Sequence, residues 1–133
     1  MAWRLGTVPY LNAEPLTAAL RQKETALLVG EAVVLSTHLP AELMERLLAG
    51  KLDAALAPTV GVLPQPHLRI LPGMCVASHG AVPSFQLYAR VPPARVSRTA
   101  LDGSSRSAAA LTRILFRELW GCRPEFLALP PET

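Results

Sequence analysis

Charged and aromatic side chains are both scarce in this sequence, and this scarcity limits the kinds of molecule that the protein is expected to bind. Only 17% of the 133 residues are charged and 5% are aromatic, whereas 50% are hydrophobic. So large an apolar share excludes a disordered chain and is typical of a domain with a packed core. The net charge is +3, but the arginines are scattered singly with few aromatic side chains among them. Nucleic acid is therefore not a predicted partner.

The sequence also lacks a long apolar run and any metal-binding pattern. No stretch approaches the roughly 18 apolar residues of a membrane span, and the N-terminal residues lack the apolar core of a signal peptide. We therefore expect a cytoplasmic protein that does not contact a membrane. Cys75 and Cys122 lie in unlike contexts and are predicted to be free thiols. His38 and His67 have no cysteine or carboxylate companions at ligand spacing, so we predict no metal. No other cofactor is expected either.

Thirteen prolines interrupt the chain too often for a helical bundle, and no repeat recurs along it. Mixed strands and helices of the α/β class are therefore predicted. Short apolar runs closed by turn residues predict strands over residues 3–8, 27–35, 52–57, 68–71, 74–77, 85–89 and 125–129. Amphipathic patterns predict one helix from Pro15 through Leu20, a second from Pro40 to a stop at Gly50, and a third over 108–120 that ends at Gly121. In this third helix the inward side is assigned to Leu111, Ile114, Leu115 and Leu119.

Adjacent prolines at Pro92 and Pro93 mark a boundary that neither a helix nor a sheet absorbs easily. The sequence predicts a first lobe over residues 1–90 and the beginning of a second lobe over 91–133. The second segment is too short for a core of its own. It is expected either to pack on the first part or to belong to something longer.

Polar loops follow several of the predicted strands. Asn12 lies at a strand-to-helix junction, where open α/β sheets place their ligands, although an asparagine can equally close a turn on its own backbone. In the loop 78–84, Gly80 permits close approach of a ligand to the backbone and two serines supply hydroxyls, although an ordinary surface turn has the same composition. The segment 102–107 offers serine hydroxyls, backbone N–H groups and Arg106 at a helix start, as a cradle for a carboxylate or as a simple N-cap.

Catalytic machinery of the common kinds is missing. The sequence has no Gly-x-Ser-x-Gly elbow and no glycine-rich phosphate loop. His79 is a candidate base, but a solitary loop histidine is usually just solvated. Asp53, at the start of a strand, is expected to tie down local N–H groups rather than to act in catalysis. The loops thus indicate a pocket for anionic oxygen groups with little acid–base chemistry.

Four segments together resemble a known family. They read VPYLNAEPL over 8–16, GKLDAALAPT over 50–59, ASHGAVPS over 77–84 and LDGSSRS over 101–107. In order and spacing they are similar to the successive motifs of the chorismate dehydratases, which belong to the futalosine route to menaquinone.

The resemblance implies a two-lobed α/β fold like the type II periplasmic binding proteins, with the ligand between the lobes. It implies a carbon–oxygen lyase that converts chorismate to 3-[(1-carboxyvinyl)oxy]benzoate and water without a cofactor. Members of the family continue through a second half that this chain lacks, so the fold is expected to be truncated here. Carried over by position, Asn12 and Ser84 are catalytic, and the substrate-binding residues are Thr59, Ser78, Gly80, Ser104, Ser105, Arg106 and Ser107.

Three other interpretations stay open. The sister family that makes 1,4-dihydroxy-6-naphthoate shares the fold, although its first loop is of a Pro-Cys-Asn-Asp kind, unlike Tyr10-Leu11-Asn12 here. A small-anion-binding protein without catalysis has the same architecture, since a fold alone does not fix a function. A structural or regulatory half-domain is the third. The sequence leaves the oligomeric state open.

Overall fold

A computed structural model describes residues 2–21, 30 and 32–130. The chain divides into two compact units, Met1–Ala77 and Ser78–Thr133, and each carries parallel strands. The architecture is therefore mixed α/β, as predicted. The sequence predicted a first lobe that ends at residue 90 and a second lobe that begins at residue 91. These lobes are parts of the expected two-lobed fold and not the two compact units, so this division stays a prediction.

The first unit is built on a three-stranded parallel sheet with its first strand in the centre. The strand order is β2-β1-β3, where the strands are β1 (Ala2–Thr7), β2 (Ala32–Thr37) and β3 (Ala54–Ala55). Leu5 of β1 lies opposite Leu35 of β2 and Ala54 of β3. Because all three strands run in the same direction, their carboxyl ends lie at one edge of this sheet.

These strands confirm the sequence prediction unevenly. β1 agrees with the predicted strand 3–8 to within one residue. The strand predicted over 27–35 is confirmed from residue 32 on, whereas residues 27–29 and 31 lie outside the described part of the chain. The strand predicted over 52–57 is shortened to two residues, because only these pair with β1.

Three helices and a 3₁₀ turn accompany the strands of this sheet. They are α1 (Glu14–Thr17), α2 (Pro40–Leu48) and α3 (Thr59–Val62), and a 3₁₀ turn, Ala19–Arg21, continues beyond α1. α2 confirms its prediction closely: proline occupies its first position, and Gly50 follows its end with a φ of +65°. This left-handed conformation suits glycine, which has no Cβ to clash with the backbone.

The core of the first unit lies between α2 and the sheet. Leu43 and Met44 of α2 are fully buried, and Leu43 clusters with Val8, Ala13 and Leu52. This packing anchors the start of the loop after β1, because Val8 and Ala13 belong to that loop.

A paired carboxylate fixes the start of β3 against β1. Asp53 accepts hydrogen bonds from the backbone N–H of Arg4 at 2.8 Å and from its guanidinium at 2.7 and 3.1 Å. The guanidinium and backbone hydrogen bonds from Arg4 lower the pKa of Asp53 from 3.8 to about 2. The prediction that Asp53 ties down local N–H groups is confirmed.

The second unit contains a parallel strand pair covered by one helix. The strands are β4 (Arg98–Asp102) and β5 (Glu125–Leu129), and the helix is α4 (Arg106–Ile114). A single π-helical turn, Leu115–Leu119, extends α4. Phe116 in that turn is 1% exposed and packs edge-on against the rings of Trp120 and Phe126, at 4.8 and 6.0 Å between centroids.

β5 confirms the strand predicted over 125–129, whereas the predicted inward side of the last helix is wrong. Leu111, Ile114 and Leu119 are 46%, 48% and 67% exposed, and Phe116 takes the buried position. A π turn holds more residues than an α turn, so it rotates Phe116 and Leu119 relative to the predicted period. It does not account for the exposure of Leu111 and Ile114, which precede it.

The strands predicted over 68–71, 74–77 and 85–89 do not form in the structure. Each has the apolar pattern of a strand, but no described strand pairs with it, and an unpaired strand leaves its backbone hydrogen bonds unmade. β4 is the converse case: the sequence analysis treated its end as part of a polar turn, and it is a paired strand. Within the described residues, no helix is both long and apolar enough to cross a membrane.

Candidate functional site

The carboxyl edge of the first sheet brings together two of the predicted site positions. Asn12 lies in a 3₁₀ turn, Leu11–Ala13, in the loop after β1, and Thr59 begins α3 after β3. β1 and β3 are neighbours, so both loops leave the same edge of the sheet. Open parallel sheets bind their ligands at this edge. Asn12 and Thr59 are both exposed there.

Backbone hydrogen bonds hold this edge in place. The N–H of His38, just after β2, donates to Thr7 O at 2.9 Å, and the N–H of Leu56, just after β3, donates to Gly6 O at 3.0 Å. Among the described residues the Asn12 side chain has no hydrogen-bond partner, so the Asx turn considered for it is not formed. Its amide is thus available to a ligand.

Thr7, at the end of β1, contributes an unusual polar atom. Its side chain is fully buried, and its Oγ1 has no hydrogen-bond partner among the residues that the structure describes. A buried hydroxyl without a partner costs free energy.

The same edge carries a histidine–carboxylate pair that the sequence analysis missed. His38 Nδ1 lies 3.2 Å from Glu42 Oε1, and the same oxygen accepts a hydrogen bond from Arg46 Nε at 2.8 Å and lies 2.8 Å from Arg46 Nη2 in a salt bridge. The expectation that His38 has no carboxylate companion is therefore wrong. The Arg46 hydrogen bond, with a smaller contribution from His38, lowers the pKa of Glu42. The i,i+4 spacing of these residues was the available signal.

In the second unit, the loop 78–84 does not lie between two strands, whereas the sequence predicted a strand on each side of it. Ser78, Gly80 and Ser84 are all exposed, and Gly80 has a φ of +88°. Because the flanking strands do not form, this loop does not lie at a strand end as predicted. Within the loop, the N–H of Phe85 donates to Val82 O at 3.0 Å and closes a turn.

The segment 102–107 does follow a strand, because β4 ends at Asp102. Ser105 is the N-cap of α4 and accepts a hydrogen bond from the N–H of Ala108 at 3.3 Å, which confirms the N-cap interpretation. The Asp102 carboxylate accepts from both the N–H and the hydroxyl of Ser104, each at 2.8 Å. Ser104 and Ser105 are thus engaged inside the turn, a feature that the sequence analysis did not predict for Ser104.

No group of three or more histidine, cysteine or acidic residues suitable for a metal occurs within the described ranges. Cys75 and Cys122 are both free thiols, as predicted, and the Cys122 thiol lies 3.6 Å from Pro93 O. The predicted site residues at the carboxyl ends of the strands thus offer a ligand mainly hydrogen bonds from amide, hydroxyl and backbone N–H groups.

Polar loops at the carboxyl ends of parallel strands are typical of α/β proteins that bind small molecules. The family model for menaquinone biosynthesis matches residues 3–133 of the chain. The chain therefore belongs to the menaquinone biosynthesis family, as its resemblance to the chorismate dehydratases indicated. This membership implies an enzyme that acts on a small molecule.

Proposed function

We propose that this protein is a chorismate dehydratase, which removes water from chorismate to give 3-[(1-carboxyvinyl)oxy]benzoate. The four sequence segments that resemble this family, and the family match over nearly the whole chain, support the proposal. The periplasmic-binding-protein-like fold and a cytoplasmic location are part of the same proposal.

The observation that carries the proposal is the position of Asn12 and Thr59 after adjacent parallel strands. An amide and a hydroxyl are uncharged donors and acceptors, which suit the orientation of a dicarboxylate without forming a salt bridge to it. Asn12, with no intramolecular partner among the described residues, would contact the ring substituents, and Thr59 would bind beside it.

The reaction asks little of the protein in acid–base chemistry. The ring loses a proton from the carbon that bears the ether and hydroxide from the adjacent carbon, and the C–H electron pair becomes the third double bond of the aromatic ring. Aromatisation drives the elimination, so the protein has chiefly to orient the substrate and stabilise developing charge. We propose that a carboxylate of the substrate takes the proton, because the matched segments offer no obvious general base apart from His79. Their carboxylates are already engaged: Glu14 and Asp53 pair with arginines, and Asp102 binds Ser104.

The remaining roles are carried over from the resemblance to the chorismate dehydratases. Ser84 would contact the substrate, Ser78 would help to hold a carboxylate, and Gly80 would bind the substrate through its backbone. The segment Ser104–Ser107, including Ser105 and Arg106, would hold a carboxylate. Because the Asp102 carboxylate occupies the donors of Ser104, the substrate would have to replace Asp102 there or use Ser107 and Arg106 instead.

Site-directed variants test the assignment. Asn12→Ala and Ser84→Ala should each lower the rate of chorismate dehydration by about 100-fold or more, in the range lost when one positioning or oxyanion donor is removed. His79→Ala is the matched control, because it removes an exposed loop side chain whose chemistry the mechanism does not need. Rates are measured from the loss of chorismate and the formation of the aromatic enol ether by liquid chromatography.

Two outcomes would overturn the proposal in different ways. An inactive, folded His79→Ala variant would show that a protein base takes the proton. Tight binding of chorismate without any product would favour a non-catalytic anion-binding protein.

A further inference from the structure

A hollow on the second unit has a charge that the proposed function does not use. It has a volume of about 390 Å³ and is lined by Arg113, Arg117, Cys122, Arg123, Pro124 and Phe126. We call it the arginine hollow. It lies where α4 ends and just before β5 begins, at the amino ends of the strand pair. The segment Ser104–Ser107 follows the carboxyl end of β4, so the two sites are at opposite ends of these strands.

The positive charge of the arginine hollow is poorly compensated. Of its three arginines, only Arg117 has a carboxylate partner among the described residues, the exposed Glu118. The Arg113 guanidinium stacks over the Phe126 ring at 5.1 Å and donates to the carbonyl of Ala109 at 3.5 Å, but it has no ion pair with any residue that the structure describes. Arginines that share a hollow with apolar walls repel one another and raise the local positive potential. A bound anion would relieve this repulsion.

The backbone at the arginine hollow is also locally irregular. The π turn Leu115–Leu119 carries Arg117, and its widened hydrogen bonding includes Trp120 N–H to Leu115 O at 3.1 Å. Gly121, with a φ of +62°, then turns the chain so that Arg123 lines the same hollow as Arg117. Single π turns inside helices are less stable than α turns and are frequent at functional sites.

We propose that the arginine hollow binds the phosphate group of a small soluble molecule. Planar guanidinium groups match phosphate oxygens with paired N–H donors, and Arg113 is already oriented by its contact with Phe126. Pro124 and Phe126 provide an apolar wall for the carbon part of the ligand, and the volume suits a small metabolite.

Titration with inorganic phosphate at constant ionic strength, followed by calorimetry, tests the proposal. We expect saturable binding in the millimolar range that Arg123→Gln weakens by at least about tenfold, as the loss of one charge-assisted contact implies. Arg69→Gln is the matched control, since it removes the same charge from an exposed position outside the arginine hollow. Circular dichroism establishes that each variant is folded.

Two results would overturn the proposal that the arginine hollow binds phosphate. It fails if phosphate does not bind saturably, or if Arg69→Gln weakens binding as much as Arg123→Gln, because the effect would then be one of net charge. A second titration uses vesicles of an anionic phospholipid. Binding to vesicles that free phosphate does not displace would assign the arginine hollow to a lipid headgroup and would contradict a soluble ligand.

Discussion

Gly6 allows helix α2 to approach the central strand, and its replacement gives the clearest prediction about the fold. Gly6 is a buried residue of β1, one position before Thr7. A Cβ atom built on Gly6 would lie 2.5 Å from Leu43 Cδ2, 2.7 Å from Leu52 Cδ1 and 3.3 Å from Ala55 Cβ. The first two distances are far inside van der Waals contact, so the side chains of Leu43 and Leu52, or the backbone that carries them, would have to move.

The magnitude follows from two opposing effects. Leu43 is fully buried and Leu52 is 7% exposed, so neither side chain can swing into solvent. Forcing a methyl group into such a core costs about 1–3 kcal/mol, and two contacts this close place Gly6→Ala in the upper half of that range. Alanine regains about 0.5–1 kcal/mol by restricting the unfolded chain. The net expected loss in the free energy of unfolding is about 1–2 kcal/mol.

Gly61→Ala is the matched control. Gly61 is also buried and Met44 beside it is as buried as Leu43, but the new Cβ would lie 3.0 Å from Met44 Sδ and 3.1 Å from Met44 Cγ. These contacts are longer than those at Gly6, and a methionine side chain can adjust by a few tenths of an ångström. Its helical position also favours alanine by about 1 kcal/mol. Urea unfolding followed by circular dichroism measures both variants. If Gly6→Ala is as stable as the parent, or Gly61→Ala loses more than Gly6→Ala, the packing described here is incorrect.

Two further predictions concern hydrogen bonds in the first unit. Thr7→Val should keep or raise the urea midpoint of unfolding, because it removes a buried hydroxyl with no partner among the described residues. Thr17→Val should instead lower the free energy of unfolding by about 1 kcal/mol, since it deletes the hydrogen bond from the Thr17 hydroxyl to Ala13 O. A larger loss of stability in Thr7→Val than in Thr17→Val would contradict this. Because the folded pKa of Asp53 is lowered to about 2, its pairing with Arg4 stabilises the fold at pH values above its unfolded pKa of about 4 and is lost as the pH falls toward 2. Asp53→Asn should therefore be less stable than the parent at pH 6, and the difference should disappear near pH 2; a difference independent of pH would contradict the pairing.

Local signals in the sequence predicted the elements that depend on few partners. α2 begins at a proline and is followed by a glycine in the left-handed region, and both features are determined by the residues themselves. The strands predicted over 68–71, 74–77 and 85–89 failed because a strand also needs a neighbour, and an apolar pattern does not specify one. The π turn after Ile114 could not be predicted from the spacing of apolar residues, because that method assumes a constant number of residues per helical turn.

The candidate site was predictable in position more than in detail. The sequence placed Asn12 at a strand-to-helix junction, and the parallel order of the strands then puts it at the same edge as Thr59. The hydrogen bonds from Ser104 to Asp102 could not be predicted with certainty, because they depend on the rotamer of the Asp102 side chain. The available signal was an aspartate two residues before a serine, which is a known turn pattern.

The most direct test of the proposed function is the fate of chorismate. The protein is incubated with chorismate, and the products are separated and identified by mass spectrometry at several times. The account predicts an aromatic enol ether, lighter than chorismate by one water, that forms in step with the loss of chorismate and at a rate that Asn12→Ala strongly reduces. Unchanged chorismate with the folded protein, or the same rate in Asn12→Ala, would contradict it.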